Sequence, residues 1–398
     1  MSRVICNYDK CTGCAACKDI CPKQCITMQP DALDALHPVI DESACIDCGL
    51  CEKTCPNNRE IPYINIYPQK VWAAWSNDNE VRRTSASGGV ACELYRYWIK
   101  KGGIATGVIY DREDGCHFIL IEDESDITAT QNSKYTFSDT AGIYKVVKQK
   151  LQTGIPVLFI GVPCQIAGLY GFLKKDYENL TTVDIICHGM PPAAYLKQHV
   201  EYIEQRKKER TSSLYFRDPK YYTYTFTFTL KNSVGKEFYN KKVLTRDNYQ
   251  LGYHRALIYR ENCYSCNYAR RERIADLTIG DFSGLGRFAP FEYDRRNVSC
   301  VLQNTEKGAA LLDELETVLS LYERPANEAF EVEKQLNSPS VKHSGRSVFE
   351  HIYHKTRNYE LACNAALKGE KSKAVKTAMI QKTKVFVYNI LVMLHIKK

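Results

Sequence analysis

Residues 11–22 read Cys11-Thr12-Gly13-Cys14-Ala15-Ala16-Cys17-Lys18-Asp19-Ile20-Cys21-Pro22, and residues 45–56 read Cys45-Ile46-Asp47-Cys48-Gly49-Leu50-Cys51-Glu52-Lys53-Thr54-Cys55-Pro56. Both have the spacing C-x2-C-x2-C-x3-C-P, and each cysteine of the second set lies 34 positions after its counterpart, so the segment is an internal duplication. Three thiolates two residues apart let a tight loop close round one iron–sulfur cube, while the fourth begins a short helix and reaches the other cube. That logic assigns Cys11, Cys14, Cys17 and Cys55 to one 4Fe–4S cluster. Cys45, Cys48, Cys51 and Cys21 go to the second. Gly13 and Gly49 fall where the loops must turn sharply. Structural zinc is the competing reading, but it uses four ligands in paired CxxC units and leaves the third cysteine and the Cys-Pro unexplained.

Working outward, Cys25–Met28 and Pro38–Ile40 read as short strands of a ferredoxin-like α+β domain. Eighteen cysteines occur in 398 residues, nine of them between Cys11 and Cys55. A disulfide framework belongs to small secreted chains, and Met1-Ser2-Arg3-Val4-Ile5-Cys6 leads into the motif without a signal-peptide pattern. The expectation is reduced, metal-bound thiols in the cytoplasm. The apolar fraction of 44% and charged fraction of 25% are those of a soluble globular protein. The formal charge of +8 is dispersed. Runs such as Arg206-Lys207-Lys208 sit beside Glu204 and Glu209, which reads as a solvated face and argues against nucleic-acid binding. The longest apolar stretch, Val385–Ile396, is short of the roughly 20 residues of a membrane span. With its flanking lysines it suits either peripheral contact with a membrane surface or packing on its own domain.

Pro62 and Pro68, two prolines between residues 57 and 68, mark a linker. Beyond it, Ile104–Tyr110 and Phe118–Glu122 predict a hairpin, and Tyr144–Leu151 a helix. Ile155–Gly161 and Leu180–Ile186 predict buried strands, each followed by a helix. That alternation implies parallel pairing in an α/β domain with a mixed sheet. Cys164 and Cys187 then fall just past the carboxyl ends of neighbouring strands, where open α/β sheets place ligands. With Cys263 and Cys266 they could hold one more cube. Singly, each reads as well as a buried core cysteine, and the CxxC pair as half a zinc site or a redox pair. Thr84-Ser85-Ala86-Ser87-Gly88-Gly89 precedes a helix and suits either a phosphate or an ordinary serine cap. Tyr221–Phe228 alternates aromatics with threonine, predicting a half-exposed strand.

Taken in order, Ser85-Ala86-Ser87-Gly88-Gly89, Gly161-Val162-Pro163-Cys164-Gln165, Cys187-His188-Gly189, Cys263-Tyr264-Ser265-Cys266, Ala275–Asp281 and Gln335–Pro339 make the chain resemble the coenzyme F420 hydrogenase/dehydrogenase β-subunit family, in the form with an N-terminal two-cluster ferredoxin. The resemblance implies FAD and a third 4Fe–4S cluster held by Cys164, Cys187, Cys263 and Cys266. It also implies flavin contact from Ser85, Ser87, Gly88 and Gly89, and from Lys134 and Tyr135. The Cys-His-Gly form is similar to bacterial members found beside surface-polysaccharide genes, which implies that the family's name need not give the substrate.

The domain expectation is 1–60 for the ferredoxin, 61–160 for the flavin-binding region, 161–345 for the region with the third cluster, and 346–398 for a helical tail. The functional expectation is an oxidoreductase that takes electrons from ferredoxin or a similar redox protein. They would pass through the clusters to FAD and an organic acceptor, a sugar derivative among the candidates. The alternative is a non-catalytic electron-transfer subunit. His188 is a weak candidate proton donor, since a packing or hydrogen-bonding histidine reads the same.

Overall fold

The computed structural model describes residues 4–58, 66–140, 142–243 and 246–371. Residues 59–65 of the expected linker and the whole of 384–398 lie outside the described residues. The duplication is visible in the backbone. Gly13 (φ +71°) and Asp47 (φ +54°) occupy the same left-handed position of the two loops, as do Ala15 (φ +59°) and Gly49 (φ +68°). The helices that follow, Ala16–Ile20 and Leu50–Thr54, match residue for residue across the repeat. Between them β1 (Ile26–Pro30) and β2 (Leu36–Ile40) pair antiparallel, Ile26 opposite Ile40.

The chain then lays down β3 (Lys70–Ser76), β4 (Ile104–Asp111), β5 (Gly115–Ile121), β6 (Val157–Gly161) and β7 (Leu180–Ile185). A small antiparallel sheet follows, built from β8 (Ser213–Tyr215), β9 (Phe228–Lys231) and β10 (Glu237–Lys241). Finally β11 (Leu277–Asp281), β12 (Ser299–Gln303) and β13 (Leu319–Arg324) return to the first sheet. Its order is β13-β3-β12-β11-β7-β6-β4-β5. The pairs β4–β6, β6–β7 and β7–β11 are parallel, and the remaining pairs antiparallel. Every residue of β6 is buried, as expected of a central parallel strand covered on both faces. This is the expected mixed sheet, and it draws strands from both 61–160 and 161–345.

Strand pairing along Tyr221–Phe228 corrects the sequence expectation. Thr223–Thr225 forms a 3-10 turn, Phe226 is left-handed (φ +47°), and pairing starts only at Phe228. The rings turn instead toward a buried cation: the Arg217 guanidinium lies 4.9 Å from the Tyr224 ring centre and 4.3 Å from that of Phe226. The helices Arg346–Thr356 and Tyr359–Ala366 are not a loose tail. Phe349, Tyr353 and Tyr359 are fully buried in one core with Tyr195, Phe216 and Tyr249.

The N-terminal domain is fastened to the larger one by named bonds. The Thr140 hydroxyl donates to the Cys14 carbonyl (2.7 Å), Gly142 N–H donates to the Asp19 carboxylate (2.9 Å), and the Tyr195 hydroxyl donates to Leu33 (2.7 Å). Asp34 accepts from Tyr353 and pairs with Arg357. Among the described residues no helix is long and apolar enough to cross a membrane.

Candidate functional site

Two small cavities open inside the N-terminal domain. One is lined by Cys11, Cys14, Cys17 and Cys55, the other by Cys21, Cys45, Cys48 and Cys51. These are the two sets assigned from the spacing, including the exchange of the fourth cysteine between halves. Each cavity also holds a fifth thiol that the spacing did not mark: Cys6 in the first, Cys25 in the second. Cys25 Sγ stands 3.4 Å from Cys21 Sγ. The donor set is all thiol on short helix turns, which fits a cube with thiolate ligands.

The two cavities differ in depth. Cys11, Cys17 and Cys55 are buried, whereas Cys48 is exposed and its neighbour Ile46 is 56% exposed. The first set therefore faces the body of the protein, and the second faces outward.

Cys164, Cys187, Cys263 and Cys266 come together although they arise from three segments. Cys164 opens the helix Pro163–Leu173 after β6, Cys187 follows β7, and Cys263 and Cys266 belong to the turn Glu261–Ser265 and its cap. Burial drives the Cys164 thiol well up, and Cys187, Cys266 and Cys263 push it further, as thiols sharing one dry site must. Burial likewise raises Cys263, to about 11. The Met190 N–H donates to Cys263 Sγ at 3.4 Å. Gly189 lets the loop through: at φ +144° any Cβ there would stand 2.3 Å from the Tyr259 ring. Two buried thiols, Cys164 and Cys263, and two half-buried ones, Cys187 and Cys266, with an amide donor fit a third cube.

This third set adjoins the first. Cys14 packs against the same core as Cys164, Cys187 and Cys266, and Tyr268 is buried in it. Both Cys164 and Cys14 act on Tyr268, whose hydroxyl is raised chiefly by burial.

The residues expected at a flavin gather at the carboxyl end of the sheet. Ser87 Oγ donates to the Val298 carbonyl (3.0 Å), and Gly88 N–H donates to Ser299 Oγ (2.8 Å). Gly88 is packed so tightly that a Cβ would meet the Ala74 carbonyl at 2.2 Å. Ser85 is buried, and Gly89 caps the helix Val90–Lys100 in a left-handed turn without a side-chain cap. The loop carrying Lys134 and Tyr135 reaches the same place, since Gln131 donates to Thr84 Oγ1 (3.2 Å) and Asn132 accepts from Arg217 N–H (2.9 Å). Tyr135 stacks on Tyr253, ring centres 4.6 Å apart. Lys134 points elsewhere: its ammonium donates to the carbonyls of Thr130 (2.8 Å), Gln131 (2.7 Å) and Asn132 (3.2 Å), closing the end of the helix Glu124–Thr130.

Arg217 is the residue the sequence did not disclose. It is 2% exposed, its Nη1 donates to both Asp281 oxygens (3.0 and 2.8 Å), and its Nη2 is buried with no hydrogen-bond partner. His254 Nε2, beside Phe226 and Tyr135, is buried and unpartnered as well. Burial, then the charges of His188 and Arg217, lower His254 to about 4 and keep the ring neutral. His188 itself stands at the rim, its side chain 48% exposed and 3.9 Å from the Glu333 carboxylate. Orphaned donors beside stacked aromatic rings fit a planar, anionic cofactor.

Residues 10–58 match the family described as a 4Fe-4S dicluster domain. Residues 71–145 match the N-terminal part of the coenzyme F420 hydrogenase/dehydrogenase β subunit, and residues 156–329 its C-terminal part. Among curated proteins the chain is similar to a coenzyme F420-dependent sulfite reductase of Methanocaldococcus jannaschii, with 26% identity over 187 residues (46% of this chain, 28% of that protein). It is also similar to NADH-quinone oxidoreductase subunit I of Pelobacter propionicus, with 39% identity over 57 residues (12% of this chain, 31% of that protein). The chain thus spans less than a third of either curated relative. A chain of the F420-reducing NiFe hydrogenase complex of Methanosarcina barkeri matches with a TM-score of 0.42 and 18% identity, covering 82% of this chain and 96% of that one. With a dicluster domain in front and both halves of the β subunit behind it, the chain belongs to the coenzyme F420 hydrogenase/dehydrogenase β-subunit family.

Proposed function

We propose that this chain is the iron–sulfur electron-transfer subunit of a larger redox complex, connecting a surface-facing centre to a cofactor site at the carboxyl end of the sheet. The supporting observation is the order of the cysteine sets: Cys48 at the surface, Cys11, Cys17 and Cys55 buried, and Cys164 and Cys263 buried beyond them. Loaded with iron and sulfide, such sets carry electrons singly. The chain's own part is to fix their sequence, exclude water and shield the inner thiols. The curated relatives support the subunit reading over a self-sufficient enzyme. One is itself named a subunit, and this chain covers only part of each.

The finer proposal concerns the pocket around Arg217. Ser85, Ser87 and Gly89 with the helix start behind them would face the phosphates of FAD. Arg217 and Tyr135 would face its ring system. A bound flavin supplies exchange between single electrons and electron pairs. The family's description and the curated relative named for coenzyme F420 favour a second reading, in which the two-electron partner is that deazaflavin. A ferredoxin-type donor and an organic acceptor, a sugar derivative among the candidates, complete the proposal. His188, at the rim, is the candidate for proton delivery there.

The test is anaerobic affinity purification of the tagged chain from its own host. The proposal expects a redox subunit to copurify in stoichiometric amount. It also expects the isolated chain, once reduced by ferredoxin, to turn over no organic acceptor. Sustained turnover by the isolated chain would replace this proposal with that of a self-sufficient oxidoreductase.

A further inference from the structure

Arg260 is 2% exposed at the seam between the N-terminal domain and the larger one. Its Nη2 donates to the carbonyls of Cys11 (3.3 Å) and Leu36 (2.9 Å), and its Nε donates to Asn262 Oδ1 (3.4 Å). The guanidinium carbon lies 5.2 Å from the centre of the Phe137 ring. Nη1 is buried and has no hydrogen-bond partner. A guanidinium keeps its charge at any working pH, and a buried charge without a counter-charge is costly.

The other buried arginines among the described residues each have a carboxylate. Arg217 meets Asp281 at 2.8 Å, Arg273 meets Asp184 at 2.7 Å, and Arg346 meets Glu350 at 2.6 Å. Among the described residues no carboxylate oxygen stands within 4 Å of Arg260. One side of it borders a crevice of about 310 Å³ that it shares with Cys11, His37 and Tyr259, and the carboxylates that line the same crevice, Asp9, Asp31, Glu261 and Glu350, make no ion pair with it. Water there can hydrate the group but cannot neutralise it.

Two thiolate sets flank it. A Cβ on Gly13, inside the first cysteine loop, would stand 3.0 Å from Nη2, so the guanidinium rests on that loop. On its other side Arg260 caps the turn that carries Cys263, and the Cys263 N–H donates to the Arg260 carbonyl at 3.1 Å. Nη2 on the Cys11 carbonyl and the Arg260 carbonyl on the Cys263 N–H set the guanidinium against both sets at once. A cube held by four thiolates is negatively charged, and more so when reduced.

We propose that Arg260 is the shared counter-charge of two iron–sulfur centres, the one held by Cys11, Cys14, Cys17 and Cys55 and the one held by Cys164, Cys187, Cys263 and Cys266. It stabilises the reduced form of both. It is a positioning residue with no ligating atom, and the half concerning the second of these centres rests on the third-cube reading above.

The test is a potentiometric titration of the full, anaerobically reconstituted chain, followed by electron paramagnetic resonance. Arg260→Gln at full iron content should reduce the population of reduced centre at a fixed potential by about tenfold for both flanking sets, a shift of about 59 mV for one electron. The centre held by Cys21, Cys45, Cys48 and Cys51 should not move, and Arg260→Lys should restore most of the shift. Asn262→Asp, which sets a carboxylate beside Nε, should lower the same two potentials and serves if Arg260→Gln does not fold. Unchanged potentials in these variants, or an equal shift in all three centres, would overturn the proposal. A wild-type chain with about eight irons would remove the third cube; the shift at the remaining inner centre would still decide for or against Arg260.

Discussion

Cys14 of the N-terminal domain lies against Gly168, one turn beyond Cys164 on the helix Pro163–Leu173: a Cβ on Gly168 would stand 3.0 Å from Cys14 Sγ and 2.8 Å from the Tyr144 hydroxyl. Only a residue without a side chain allows the first cysteine loop to rest directly on the helix holding the third set. The contact explains why the two sets share one core, and why the domain is fixed at the Cys14 carbonyl and at Asp19 rather than tethered loosely.

Gly168→Ala should therefore separate the two sets slightly and destabilise the chain by about 1–3 kcal/mol, the usual range for overpacking a tight core. Denaturant midpoints measure the loss. Stopped-flow reduction should show the inner centre filling more slowly after the outer ones. A stability and a rate equal to those of wild type would mean that the two segments do not touch as described.

Arg217→Lys should keep Asp281 paired while removing the free nitrogen of the fork. If the proposed flavin reading holds, the expected result is unchanged iron with flavin retention weakened about tenfold, the worth of roughly one charge-assisted hydrogen bond. Flavin released on unfolding, measured against iron per chain, checks it.

His199 is buried between Asp247 (3.0 Å) and Glu360 (2.5 Å), tying the helix Ala193–Lys207 to the helix Tyr359–Ala366. Burial opposes its charge, but Asp247 and then Glu360 outweigh burial and push it up to about 10. A folded pKa above the unfolded one means that the stabilisation is complete below about pH 6.5 and is lost as pH rises through 10. His199→Ala should cost about 3–5 kcal/mol at pH 6 because it leaves carboxylates buried without their partner. The gap from wild type should narrow toward pH 10.5 in denaturation midpoints taken across that range.

The legible part of this protein was local. A 34-residue repeat of thiols carries its own geometry, so both cysteine groups, the exchange of their fourth members between halves and the paired short helices could be read directly. Cys164 and Cys187 could be placed because strand-then-helix patterns put them at one end of neighbouring strands. Arg217 and Arg260 could not, because an arginine shows its role only through what surrounds it after folding. The partners of Arg217 lie up to 85 positions away, and that of Arg260 at Cys11 lies 249 positions away. Tyr221–Phe228 misled for a related reason: its period of two suits a strand, but the rings fold round Arg217 instead. Lys134 was expected near the flavin by resemblance, and its three bonds to backbone carbonyls put the ammonium to a local use.

The central claim is that cysteines from three separate segments complete an inner centre next to the N-terminal pair. Iron and acid-labile sulfide per chain, measured on anaerobically purified wild type and on Cys266→Ser, test it most directly. About twelve irons falling to about eight, with the N-terminal signals intact, is the predicted result. About eight in both proteins would contradict it.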